Sequence, residues 1–178
     1  MNRHSATAIA LSSVVAAVVA VSCATRPPVP DTLQPPATEM LALETTATGV
    51  QVYECSGVQG QPDRYEWAFK APEAELFDKT GRRIGRHYAG PTWEADDGST
   101  VVGAVKARVD SPTAGAIPWL LLTARSTAGS GVFGRTTSIQ RLATQGGSAP
   151  GGACGPAQAG EVARVGYRAT YHFYVARS

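Results

Sequence analysis

From Thr45 onward the apolar positions of this chain recur with a period of two, not 3.6, which predicts strands with one face buried. The longest case is Arg164 to Val175. There Val165, Tyr167, Ala169, Tyr171, Phe173 and Val175 share one face, and Arg164, Arg168, Thr170 and His172 share the other. Val101, Val105, Ala107 and Val109 oppose Lys106 and Arg108 in the same way, and Tyr65, Trp67 and Phe69 alternate with Glu66 and Lys70. Trp119-Leu120-Leu121-Leu122 is a continuous apolar run, as in a strand covered on both sides. Turn residues punctuate these runs at Asp78-Lys79-Thr80-Gly81, Asp96-Asp97-Gly98-Ser99 and Ala128-Gly129-Ser130-Gly131. No stretch of ten residues has helical periodicity, although Glu39 to Glu44 is expected to make a turn or so of helix. The pattern predicts an all-β domain: one antiparallel β-sandwich or closed barrel of about eight to ten short strands, with very little helix.

Residues 1–22 have a different character. Arg3 precedes sixteen uncharged residues, Ala6 to Val21, rich in Ala and Val. That is the charge and length of a secretory signal, and too short and weakly apolar for a membrane span. It ends Ala20-Val21-Ser22-Cys23, which resembles the lipobox of bacterial lipoproteins, although the position held by Ala20 is more often Leu. The alternative is ordinary cleavage after Ala24. Five prolines between Ala24 and Thr38 then make an extended tether. The expected organisation is a signal at 1–22, a Pro-rich lipid-anchored tether at 23–38, and the all-β domain at 39–178.

The chain has three cysteines, Cys23, Cys55 and Cys154, and an odd cysteine in an exported protein needs an explanation. Acylation of Cys23 supplies one and leaves Cys55 and Cys154 as a disulfide pair. Metal ligation is the competing reading, but neither cysteine belongs to a CxxC pair or a Cys/His cluster, so no metal is expected. The expected location is the bacterial cell envelope, as an outer-membrane lipoprotein, with a secreted or periplasmic soluble protein as the alternative.

A net charge of +2 with no basic stripe argues against nucleic acid as a partner. Candidate chemistry concentrates in His87-Tyr88-Ala89-Gly90-Pro91-Thr92-Trp93-Glu94-Ala95-Asp96-Asp97-Gly98-Ser99. A hydrolase has a base in His87 and a carboxylate partner in Glu94 or Asp97, and the same groups suit a metal. Against both, Gly90-Pro91 breaks the strand between His87 and Glu94, and Asp96 to Ser99 is what a hairpin turn wants. Arg82-Arg83-Ile84-Gly85-Arg86-His87 offers a site for a phosphate or an anionic glycan, or merely a solvated arm. The chain has no P-loop, GxSxG elbow, HExxH or EF-hand loop, so no cofactor is expected. Two functional readings stand. The first is a non-catalytic envelope module binding a small molecule, glycan or envelope protein, with Arg86, Tyr88 and Trp93 as its contacts. The second is a secreted hydrolase built on His87 with Glu94 and Asp97.

Several strings in order look familiar: Gly49 to Cys55, the His87–Ser99 segment, Trp119 to Leu122, Ile139-Gln140-Arg141, Thr144 to Pro150 with Cys154, and Tyr167 to Tyr174. Together they resemble the domain-of-unknown-function 3455 family, found in exported bacterial and secreted fungal proteins. The resemblance runs from about Val29 to Val175, and GPTWEA-DGS is its most specific string. The chain departs from the pattern at Ala143, where a polar residue, often Asn, is expected. The resemblance implies a domain limit and no mechanism.

Overall fold

A computed structural model describes residues 27–178. Eight antiparallel strands follow one another around a closed barrel in chain order. They are β1 (Glu39–Val58), β2 (Gln61–Phe77), β3 (Arg83–Tyr88), β4 (Thr92–Ala95), β5 (Thr100–Val109), β6 (Trp119–Ala128), β7 (Thr136–Gly146) and β8 (Val162–Ala176). Pairing of β1 with β8, from Glu39↔Ala176 to Glu54↔Val162, closes the sheet and removes its edges. Among the described residues helix is confined to two 3₁₀ turns, Asp31–Leu33 and Pro156–Gln158.

The expected all-β architecture is present in its barrel form. The strands are not all short, because β1 and β2 run 20 and 17 residues. They stay in one sheet by bending at irregularities in the ladder, including one at Val52/Tyr53. Glu39 to Glu44 is strand and not helix. These residues are good helix formers, but pairing with β8 supplies ladder bonds that one isolated turn of helix cannot match.

Alternation sorts the side chains. Tyr167, Ala169, Tyr171 and Phe173 of β8 point inward, with Ala47, Leu76, Trp93, Val101, Leu122 and Ile139, and form the main core. One end of the barrel is sealed by the β6–β7 connection, whose Phe133 is wholly buried with its ring 4.5 Å from Phe173. Asp97 ties this plug down: its carboxylate accepts from the Ser99 backbone N–H and hydroxyl and from the Val132 N–H, and Ser99 Oγ accepts from the Phe133 N–H. Gly98 has φ +83° in that turn, a conformation that costs a residue with a Cβ.

The Trp119–Leu122 run is covered on both sides, as its composition suggests. Leu122 faces the lumen, while Trp119 and Leu121 pack outside with Leu142 beneath Leu33 of the Pro-rich segment. Gln140 Nε2 donates to the Leu33 carbonyl at 2.6 Å. Residues 27–38 therefore lie against the barrel wall. At the open end, Cys55 of β1 is bonded to Cys154 of the β7–β8 connection, with Cα atoms 5.6 Å apart. Trp67 Nε1 donates to the Gly152 carbonyl, and Tyr53 Oη to the Gly147 carbonyl, so the long Gly-rich loop is held at several points.

Candidate functional site

Eight strands enclose an interior just wide enough to fill with side chains or to hold one small ligand. Here the plugged half is filled. The half facing the β3–β4, β5–β6 and β7–β8 connections holds a cavity of about 600 Å³, open at the barrel mouth. Its apolar wall comes from Pro91, Pro118, Leu120 and Leu122, with Phe69 (53% exposed) and Val105 (58% exposed) at the rim. Inward residues of four strands bring polar groups to the same space: Gln51 and Tyr53 of β1, His87 of β3, Arg141 of β7 and Tyr171 of β8.

His87 is buried and lies flat on Trp93, ring centroids 4.3 Å apart at 9°. Its Nδ1 is 2.8 Å from the Thr92 carbonyl, which can only accept, so the ring is the Nδ1–H tautomer. Burial, reinforced by the nearby Arg141 charge and opposed by the Thr92 carbonyl, lowers its pKa to about 3. His87 is neutral at any ordinary pH. Burial likewise raises the pKa of Tyr53, Tyr167 and Tyr171, so these phenols stay protonated.

Three cations line the cavity, Lys70, Arg108 and Arg141, and among the described residues no acidic side chain lines it. Lys70 is 3.3 Å from Glu54, and Arg108 lies at 4.0 Å from Asp110, both at the exposed rim. Arg141 differs. Its Nε donates to the Pro118 carbonyl at 3.0 Å, and among the described residues no carboxylate lies within ion-pairing distance. Gln51 Nε2 and the Tyr171 hydroxyl are buried without a hydrogen bond of proper geometry, although Tyr171 lies near Tyr167 and Arg141. Buried donors in this state are rare.

The structure separates the sequence-derived candidates. His87 faces the lumen, but register pairs Arg86 with Glu94 on the outer face, where Glu94 accepts from Arg86 at 2.9 Å and from the Tyr88 hydroxyl at 2.8 Å. These contacts hold the Glu94 carboxyl below its usual range, the Tyr88 bond foremost. Asp97 is engaged with Ser99 and Val132 in the turn at the plugged end. The three groups are not assembled into one site. Of Arg86, Tyr88 and Trp93, only Trp93 lines the mouth cavity, and Arg86 lies over the Tyr88 ring outside. Arg83, Arg86 and Arg164 of the outer groove beside them are already paired with Glu75, Asp96, Glu94 and Glu73. No group of three or more potential metal ligands occurs among the described residues. Cys23 lies outside the described residues. Sequence reasoning passed over Gln51, Tyr53, Arg141 and Tyr171 as site residues. Arg141 shares the parity of Ile139, but only the structure shows that parity to be the inward one.

No helix among the described residues is long and apolar enough to cross a membrane. No curated protein and no solved structure matches the chain. A family model described as a protein of unknown function (DUF3455) matches residues 36–175, which takes in almost all of the barrel. The chain belongs to the domain-of-unknown-function 3455 family.

Proposed function

We propose that this protein is a non-catalytic binding module that takes one small amphipathic molecule into the barrel mouth. The observation that carries the reading is the open cavity of about 600 Å³, whose apolar wall surrounds a few convergent polar groups. That size and lining suit a small-molecule site. Half-exposed Phe69 and Val105 at the rim give the ligand's apolar part something to cover. Of the partner classes raised by the sequence, a small molecule fits this concave site better than a glycan or an envelope protein.

The hydrolase reading lacks its constellation. A general base needs a group to orient it and a pKa near the working pH. His87 has a backbone carbonyl on Nδ1 and a pKa of about 3, and Glu94 lies on the other side of the sheet. The test is titration of the full chain with the neutral, polarity-sensitive dye 1-aminoanthracene. One saturable site is expected, abolished in Leu120→Trp, which fills the cavity, at unchanged barrel circular dichroism. Absence of binding, or binding unaffected by that substitution, refutes the proposal.

The sequence of residues 1–23 supports export and acylation at Cys23, placing the module on an envelope membrane. An intact mass showing a diacylglyceryl-modified N-terminus at Cys23 is expected in the membrane fraction. A soluble product beginning at Thr25 would count against it.

A further inference from the structure

We infer that the mouth cavity selects an anionic amphiphile, a carboxylic acid whose head group enters first and pairs with Arg141 while its apolar tail lies toward Phe69 and Val105. This rests on the ligand-binding reading above and specifies its chemistry. A partly buried guanidinium has five donors, and here one is bonded to the Pro118 carbonyl while the Tyr171 hydroxyl lies near another. Among the described residues it has no counter-charge, and its positive charge is felt at Tyr53, His87, Tyr167 and Tyr171. Leaving a charge in that condition is costly unless something pairs with it.

The surroundings are matched to an anion. Gln51 is 2% exposed and its Nε2 is an unused donor; Tyr171 is fully buried and its protonated hydroxyl is a second. Both line the cavity together with Arg141. The two rim cations, Lys70 and Arg108, each have a carboxylate nearby, Glu54 at 3.3 Å and Asp110 at 4.0 Å, so they add only a weaker attraction of the same sign, while no acidic side chain lines the cavity itself among the described residues. A planar carboxylate suits a guanidinium because it can accept two parallel N–H bonds. The orientation follows from exposure. Arg141 is half-buried beside the wholly buried Tyr171, its ladder partner, while Phe69 and Val105 are at the exposed rim. A cationic amphiphile would meet the uncompensated Arg141 charge and two donors, with nothing to accept from them.

The test compares 11-(dansylamino)undecanoic acid with its methyl ester on the full chain. The pair shares a tail and differs in charge. The acid is expected to bind roughly tenfold or more tighter than the ester, the range for hydrogen bonds to a charged group. In Arg141→Gln that preference falls to within about twofold while ester affinity is kept, and Arg141→Lys restores part of it. Arg108→Gln, at the rim, is a second variant and lowers acid affinity by a smaller, salt-sensitive factor. Equal binding of acid and ester by the unmodified chain overturns the inference and leaves the cavity reading standing. An acid preference that survives Arg141→Gln also overturns it. Binding of neither probe sinks the cavity reading together with it.

Discussion

Acidification tests the burial of His87 directly. An unfolded histidine takes up its proton near pH 6.5, whereas folded His87 holds off until about pH 3, because burial and Arg141 oppose the charge. Between these values the unfolded state binds one more proton than the native state, so stability falls as pH falls and is fully retained above pH 6.5. The loss is about 2 kcal/mol at pH 5, growing by about 1.4 kcal/mol for each further unit. The native side is anchored by the stack on Trp93 at 4.3 Å and the 2.8 Å bond to the Thr92 carbonyl, which hold the ring in its buried position. The assay is urea unfolding at pH 7.5, 6, 5.5 and 5, where ordinary carboxylates are still ionised. His172, 3.3 Å from Glu44, is a second imidazole in the barrel, so the comparison is made in a His172→Gln background. In that background the slope of about 1.4 kcal/mol per unit below pH 6.5 is expected to vanish when His87→Gln is added. A slope that survives this substitution, or a His87 imidazole resonance titrating near pH 6, refutes the assignment.

Removing the disulfide by Cys55→Ser with Cys154→Ser opens a loop spanning 99 residues of separation and should cost at most about 4–5 kcal/mol, read as a lowered urea midpoint. An unchanged midpoint would mean that the Gly-rich loop is held by its hydrogen bonds alone. Trp93→Ala, at a buried ring packed on His87, Tyr171 and Phe173, should lose about 3–5 kcal/mol in the same assay. Ala143 is the one non-glycine with positive φ among the described residues, at +48°, inside a ladder irregularity of β7. Ala143→Gly or Ala143→Asn should therefore raise stability, by up to about 1 kcal/mol, and a lower melting temperature contradicts the strain reading. Gly98→Ala should act in the opposite sense, by roughly 1–2 kcal/mol, since its φ is +83° with open space around the Cβ position.

How much was legible depends on whether the cause was local. The strand character of Arg164 to Val175, the turns at Asp78 and Asp96, and the plug-end Gly98 follow from alternation and turn chemistry within a few residues, and all appear in the fold. The Cys55–Cys154 pairing followed from counting, because only two cysteines remain once Cys23 is set aside. The departure at Ala143 was legible too, and its meaning is backbone strain where Asn or Gly is at ease.

Register and closure were not legible. Whether Glu94 joins His87 depends on Arg86 lying opposite Glu94 and His87 opposite Trp93, a choice of pairing that one residue of slip would reverse. Glu39 to Glu44 became strand because β8, more than 120 residues later, lies beside it. Arg141 was hidden for a further reason. Leu33 covers the outer face of β7, burying Gln140 and Leu142, so apolar and polar positions no longer alternate there and the strand's inward face cannot be told from its outward one. Only the closed barrel turns that arginine toward Tyr171 and Gln51, and only the closed barrel makes a cavity for the three to share.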